Sequence, residues 1–152
     1  MRLFYTVLLC CGLSACGGET PEVTPLTGAG EGLQTSAARV RATAPGVRIT
    51  AAYLKIENYT ETEAILRAVR GTTPGVAAVV ELHDTVVEDG VMKMRMAESF
   101  TIPAKSALAL RPGAKHLMLL ELRPGLSAGE TLDLELQFAS GATQTATAEV
   151  FE

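Results

Sequence analysis

Short runs in which apolar and polar residues alternate recur about every ten residues along the chain, with turn-forming residues between them. Alternation of this kind predicts β-strands that bury one face. Several short strands at such spacing predict an all-β sandwich or a small barrel. The runs cover residues 49–56, 76–83, 91–96, 107–110, 116–122, 132–138 and 143–151.

Two stretches of the chain depart from this pattern. Residues 61–70 contain Ala, Leu, Glu and Arg, which suit a helix as well as a strand. Residues 16–36 are rich in Gly, Thr, Pro and Glu and show little apolar periodicity, so we expect a flexible tether there. The folded domain is then expected at residues 37–152, a length that can bury one core.

Residues 1–15 have the composition of a secretory leader, with Arg2 followed by an uncharged apolar stretch and small residues before Cys16. The ending Leu13-Ser14-Ala15-Cys16 resembles the lipobox of bacterial lipoproteins, in which the Cys thiol is lipidated and becomes the new first residue. We therefore predict a signal peptide at 1–15, lipidation of Cys16, and anchoring in the cell envelope facing the periplasm. Gly17, in place of Asp, favours sorting to the outer membrane.

Charge and cysteine content exclude several classes of function. The 152 residues include 13 basic and 17 acidic side chains, for a net charge of −4, which argues against nucleic-acid binding. No apolar run reaches the ~20 residues that span a bilayer, so membrane attachment is expected through the lipid alone. With Cys10 and Cys11 in the leader and Cys16 lipidated, the domain has no disulfide, thiolate metal site or nucleophilic thiol. We expect no catalytic residue and no enzymatic activity.

Imidazole and thioether side chains are concentrated in one part of the sequence. Apart from Met1, every His and Met lies between positions 83 and 118, whereas Met that fills a core would be scattered over the strands. The clustering favours a binding site, although an isolated structural His and a Met stripe that packs the core are the competing interpretations. The residues are His83, Met92, Met94, Met96, His116 and Met118.

A predicted hairpin brings part of this cluster together. Asp89-Gly90 is a strong two-residue turn signal, which places His83 opposite Met96 and Thr85 opposite Met94. His83 and the alternating Met residues then project from one face, with His83 and Met94 as diagonal neighbours about 7–8 Å apart. His116 and Met118, two positions apart on one strand, also share a face.

The imidazole and thioether donors of the cluster indicate which kind of metal ion it would bind. Thioether sulfur is soft and uncharged, which favours Cu(I) and disfavours Mg, Ca and Mn. A structural zinc site would use Cys or His, and a blue-copper centre needs a Cys thiolate beside two His. The residues therefore predict a soft-metal site without a thiolate. Glu81, Asp84 and Glu121 flank the cluster and are expected to be solvated strand residues.

The spacing His83, ten residues, Met94, twenty-one residues, His116, one residue, Met118 resembles the PCuAC family of periplasmic copper chaperones. Segments 81–83, 89–95 and 111–119 resemble the family as well, and the likeness extends over about residues 37–151. It implies a cupredoxin-like Greek-key β-sandwich that binds Cu(I) through these four residues. Met92 and Met96 are then candidates for the secondary shell, and Met96, opposite His83, is the alternative to Met94 as a ligand.

The resemblance also implies a role in cytochrome c oxidase assembly. The partner would be the copper-bearing subunit with its dinuclear copper centre, a Sco-type thiol protein, or both, and the carrier is expected to be a monomer. Two alternatives remain open at the level of sequence. One is a lipoprotein that sequesters copper for resistance, and the other is a metal-free β-sandwich assembly module.

Overall fold

The computed structural model describes residues 22–152, in which eleven β-strands and no helix occur. Accordingly, this range contains no helix long and apolar enough to cross a membrane. The predicted signal peptide and Cys16 lie outside the described residues. The strands are β1 (Val23–Pro25), β2 (Leu33–Arg41), β3 (Thr50–Asn58), β4 (Ala64–Gly71), β5 (Ala77–Glu88), β6 (Val91–Met96), β7 (Phe100–Ile102), β8 (Ser106–Leu110), β9 (His116–Arg123), β10 (Thr131–Phe138) and β11 (Thr143–Phe151).

All eleven strands belong to one hydrogen-bonded network that folds around a single core. Its main path has the order β6-β5-β9-β3-β2-β11-β10-β4-β7, and β8 pairs with β1 and β3. The β11–β2 pair is parallel and the other pairs are antiparallel. Most spatial neighbours are not consecutive in the chain, as Greek-key connections require. The predicted all-β architecture is confirmed.

Burial alternates along the central strands, as it must when one face of a strand packs on a core. In β3, Ala52, Leu54 and Ile56 are buried, whereas the residues between them are partly exposed. Each fully buried Leu or Ile side chain adds about 1.5–3 kcal/mol to the free energy of unfolding, relative to the same side chain left exposed. The inner faces of β3 and β9 are therefore fixed by the core, and their outer faces are available for a site.

The N-terminal boundary of the fold differs from the expected tether at 16–36. β1 pairs with β8, and β2 already begins at Leu33. The alternation of β2 is interrupted because the register shifts between Ser36 and Arg39, where Ala37 adopts a φ of 51°. The outward face of β2 is polar, which gives this segment the composition of a loop. Residues 23–25 and 33–36 thus belong to the folded domain.

The ambiguous stretch at 61–70 contains all of β4 except its last residue, and no helix. β4 buries Leu66 and Val69, which are three positions apart, because a bulge shifts its register against β10. A spacing of three is also the spacing of a helix face, so the sequence pattern alone could not separate the two structures.

Candidate metal centre

The β5–β6 hairpin has the predicted register. His83 pairs with Met96, Thr85 with Met94, and Glu88 with Val91. Asp89 and Gly90 have φ of 53° and 76°, the two positive angles of a type I′ turn, which Gly adopts without steric cost. Within residues 22–152, β6 is the outermost strand beyond β5, and all six of its residues are exposed. The Met-bearing strand therefore lies at an accessible sheet edge.

The two imidazoles are brought together by the pairing of β5 with β9. His83 lies directly opposite His116, and the centroids of the two rings are 5.7 Å apart with a tilt of 51°. His116 is the first residue of β9, immediately after the loop 111–115, and it is 5% exposed. Both rings are thus held beside the loop 111–115, at a separation that lets nitrogen atoms of both reach one small ion.

Hydrogen bonds distinguish the ring nitrogens. His116 Nδ1 lies 2.9 Å from the carbonyl oxygen of Ala114, so this nitrogen carries the proton and donates it. His83 Nε2 lies 2.9 Å from the Glu81 carboxylate, and a neutral ring then donates from Nε2. The lone pairs left over are on His116 Nε2 and His83 Nδ1.

His83 Nδ1 is buried and has no hydrogen-bond partner. A buried polar atom without a partner is uncommon, because its lost hydration is not replaced. A metal ion bound to Nδ1 would supply the missing partner. In addition, a metal-binding His usually donates a hydrogen bond from its other ring nitrogen to a carboxylate or carbonyl, as His83 does to Glu81. The donor set at this position therefore fits a metal ion.

Thioethers complete the surroundings of the imidazoles. Met92, Met94, His116 and Met118 line one open cavity of about 430 Å³. Met118 pairs with Glu81 on β5 and with Ala51 on β3, so it shares the face of His83 and His116. The structure thus brings Met94, His116 and Met118, three of the four residues in the sequence motif, to one cavity. His83 is not among the residues that line the cavity, but its ring lies 5.7 Å from the ring of His116, which does line it.

Met96 has a different position from Met94. It is paired with His83 across the hairpin, but it is not among the residues that line the cavity, and its exposed fraction is 69%. Met92 does line the cavity, where its methyl group would lie 3.8 Å from a Cβ placed on Gly113. Met94, with Thr85 opposite it, is therefore better placed than Met96 to meet Met118.

The remaining wall of the cavity is mainly apolar. Ile49, Ala51, Tyr53 and Pro112 contribute to it. Among residues 22–152, no three or more His, Cys, Asp or Glu side chains are grouped so as to hold an ion. An apolar wall with imidazole and thioether donors suits a soft monovalent ion better than a bare divalent one.

A polar network holds the loop that carries His116. The hydroxyl of Thr85 donates to the Ala114 carbonyl at 3.2 Å, so one carbonyl contacts both β5 and the His116 ring. Lys115 Nζ lies 3.1 Å from Asp84 and 3.2 Å from Glu22. Burial lowers the pKa of Lys115, but hydrogen bonds to these two carboxylates outweigh it and raise the pKa overall. Lys115 is therefore charged and joins three segments.

The acidic neighbours of the cluster differ from expectation. Glu81 accepts a hydrogen bond from His83, and Asp84 forms a salt bridge with Lys115, so neither is only a solvated strand residue. Glu121 is exposed, as expected. The sequence feature that points to a contact between Glu81 and His83 is their spacing, because residues two apart on a strand share a face.

Comparisons with known proteins find similarity to a lipoprotein family and, among solved structures, to copper-binding domains. Residues 33–150 match the family model "LpqE-like: Putative lipoprotein LpqE-like". The protein "Putative lipoprotein Lxx21020" of Leifsonia xyli subsp. xyli is 35% identical over 145 residues, which is 94% of this chain and 84% of that protein.

Solved structures share the fold. The copper-bound PCuAC domain from PmoF2 superimposes with a TM-score of 0.64 at 18% identity, over 80% of this chain and 94% of that one. The solution structure of CuI-DR1885 from Deinococcus radiodurans superimposes with a TM-score of 0.59 at 32% identity, over 74% of each chain. The predicted cupredoxin-like fold is confirmed. The chain belongs to the LpqE-like family, and the PCuAC resemblance drawn from its sequence is thereby confirmed.

Proposed function

We propose that this protein is a copper chaperone that binds Cu(I) through His83, Met94, His116 and Met118. The observation that carries the proposal is the pair of imidazoles, one with a buried, unpartnered nitrogen, beside a cavity lined by thioethers. Neutral nitrogen and sulfur donors are the ligands that Cu(I) prefers. The similarity to a Cu(I)-loaded protein at 32% identity supports it further.

The position of the site suits the release of copper as well as its capture. Met94 is 61% exposed on the outermost strand, and it lines the open cavity together with Pro112 and Gly113 of the neighbouring loop. Thiolates of a partner could approach there and replace the ligands one at a time, so that the ion is never free in solution. This exchange makes and breaks only bonds to the metal, and we infer that the protein carries an ion and is not an enzyme.

The proposed recipient is the dinuclear copper centre of cytochrome c oxidase, reached through the copper-bearing subunit directly or through a Sco-type thiol protein. An accessible site with neutral ligands supports transfer over storage, because a storage site would gain from complete enclosure. Mixing the Cu(I)-loaded protein with an isolated oxidase copper domain under anaerobic conditions tests this. Retention of copper by the donor would favour the sequestering function.

The decisive experiment for the site is an anaerobic titration with Cu(I) against a competing chelator. We expect one tightly bound ion per chain, and strong weakening when His116 is replaced by Ala. Thr147→Ala, which alters an exposed hydrogen bond elsewhere in the sheet, is the matched control. Absence of Cu(I) binding by the folded protein would favour a metal-free assembly module.

The match to a lipoprotein family supports attachment in the cell envelope. We propose that Cys16 carries the lipid, that the domain faces the periplasm, and that Gly17 directs it to the outer membrane. Labelling with a palmitate analogue should mark the protein, and Cys16→Ser should abolish the label. Fractionation of labelled membranes then tests the sorting, since recovery with the inner membrane contradicts the assignment made from Gly17.

A further inference from the structure

The face of the sheet that carries the metal centre continues from β9 across β3 to β2. Met118 on β9 lies opposite Ala51 on β3, and Tyr53, two positions further along β3, lies opposite Arg39 on β2. Residues paired in this way share a face, as do residues two positions apart on one strand. At about 4.8 Å between neighbouring strands, β2 lies roughly 10 Å from β9. Arg39 is therefore a close neighbour of the metal centre on the same face.

An aromatic pair connects the cavity with two arginines. Tyr53 lines the cavity, and its ring centroid lies 6.4 Å from that of Phe151, at the end of β11. The guanidinium carbon of Arg39 lies 4.1 Å from the centroid of the Phe151 ring, and that of Arg41 lies 5.7 Å from it. Both distances are typical of cation–π contacts, in which the N–H donors in the plane of the guanidinium stay available to another acceptor. These four residues are called the arginine patch below.

The positive charge of the arginine patch is not neutralised by a salt bridge. Within residues 22–152, neither Arg39 nor Arg41 forms an ion pair, although Glu149 lies opposite Arg39 on β11. Three other basic side chains near the cavity do have carboxylate partners, namely Lys93, Arg95 and Lys115. Because the chain as a whole has a net charge of −4, this cationic surface differs in sign from the average of the molecule.

The residue types around the open cavity are those of a protein interface. Arg, Tyr, Phe and Met are enriched where proteins bind one another. Ile49 and Met94 line the cavity and are 53% and 61% exposed, and Tyr53 links them to the arginine patch. An interface of ordinary size covers ~800 Å² on each partner, roughly 30 Å across. A protein seated over the cavity therefore also covers the arginine patch.

We propose that the arginine patch docks the protein that exchanges copper with this site, through carboxylates that border that partner's own copper-binding thiolates. The inference rests on the proposed function. The partner is acidic because the unpaired charges of the patch are positive, and bound Cu(I) adds one more positive charge to a neutral ligand set. Carboxylates accept paired hydrogen bonds from a guanidinium, which fixes the orientation of the two proteins. Charge attraction of this kind accelerates association, and salt weakens it.

The rate of copper transfer tests the docking surface. Cu(I)-loaded protein is mixed with the isolated oxidase copper domain in an anaerobic stopped-flow experiment at low and at high ionic strength. We expect the combined Arg39→Glu and Arg41→Glu variant to transfer copper at least about tenfold more slowly at low salt, and to lose the decrease of the rate with salt.

The matched control is the combined Arg67→Glu and Arg70→Glu variant. It makes the same change of charge at exposed residues of β4, three strands away from β2 in the order of the sheet, and it should transfer copper close to the wild-type rate. The combined Arg39→Lys and Arg41→Lys variant keeps the charge and should keep the decrease of the rate with salt. It also provides a second measurement if the charge-reversed variant folds poorly.

Equal slowing in the patch variant and in the control overturns the proposal, and so does a wild-type transfer rate in the patch variant. Copper-loaded protein that transfers nothing to the domain overturns it as well. Chelator competition on the same samples measures Cu(I) affinity, which the patch variant should retain. Failure of the wild-type protein to bind Cu(I) contradicts the proposed function itself. A patch variant that loses only its binding to phosphatidylglycerol vesicles, with transfer unchanged, would assign the patch to lipid and overturn the proposal.

Discussion

His83 and His116 lie opposite each other on β5 and β9, yet they leave different ring nitrogens free. Glu81 occupies Nε2 of the first ring, and the Ala114 carbonyl occupies Nδ1 of the second. The two rings are therefore fixed by one carboxylate and one backbone carbonyl, which set both tautomers before an ion arrives.

Replacement of Glu81 should change the tautomer of His83 and the affinity for copper together. Glu81→Ala removes the acceptor of Nε2–H, and loss of such a partner typically lowers metal affinity about 10–100-fold. Glu81→Gln keeps an acceptor oxygen and should retain most of the affinity. Chelator competition measures the affinity, and nitrogen chemical shifts of the apo imidazole report the tautomer. Wild-type shifts and affinity in Glu81→Ala would contradict the assigned role.

Met94 and Met96 should differ in their effect on Cu(I) binding. Met94 lines the cavity with Met118, whereas Met96 lies outside it. We expect Met94→Leu to weaken binding more than about tenfold, a loss of ~1.4 kcal/mol, and Met96→Leu to weaken it less. Leu preserves the apolar volume, so each variant serves as the control for the other. The reverse order in an anaerobic titration would make Met96 the ligand.

Asn58 should be essential for stability and not for copper. Its side chain is 0% exposed, and its amide group donates to the carbonyls of Thr62, Ile102 and Pro103, while its oxygen accepts from Thr60. Asn58→Ala leaves several buried groups without partners, and we expect a loss of ~3 kcal/mol in the free energy of unfolding.

Urea denaturation measures the effect of this substitution. The control for Asn58→Ala is Gln34→Ala, which removes one exposed hydrogen bond to Glu31 and should change stability by less than ~0.5 kcal/mol. Equal unfolding midpoints for the two variants would show that the Asn58 network contributes little.

The hairpin should weaken in acid. Hydrogen bonds from Arg95 and Lys93 lower the pKa of Glu88 from its ordinary value of 4.5. A lowered pKa means that the stabilisation is present above pH 4.5 and is lost as the pH falls through the pKa of the folded state. Protection factors of the β6 amides, taken against intrinsic exchange at each pH, should fall over that interval. In Glu88→Gln this pH dependence should be reduced, and an unchanged pH profile would contradict the role of the ion pairs.

The local chemistry of the sequence was sufficient to predict the hairpin and much of the site. A two-residue turn fixes the strand register, and Asp89-Gly90 is among the strongest such signals, so the pairing of His83 with Met96 followed directly. The strand around Leu134 also follows from strict alternation, because it buries one face against the core.

What the sequence did not reveal depends on contacts between distant segments. The bulges at Ala37 and in β4 interrupt the period of two, so β2 resembled a loop and β4 a helix. The pairing of His83 with His116 requires β5 to lie beside β9, and the twenty-seven residues 89–115 separate the end of β5 from the start of β9. Which ring nitrogens are free depends on the hydrogen bonds that the rings donate to Glu81 and Ala114, and no residue pattern specifies these bonds.

The exposed edge of β6 has a consequence for self-association. Unpaired strand edges readily add a strand from another molecule. Lys93 and Arg95 place positive charge along this edge, where a second copy would have to bring its own Lys93 and Arg95 close. β6 thus carries the Met side chains of the site together with charged residues that oppose edge-to-edge association into fibres.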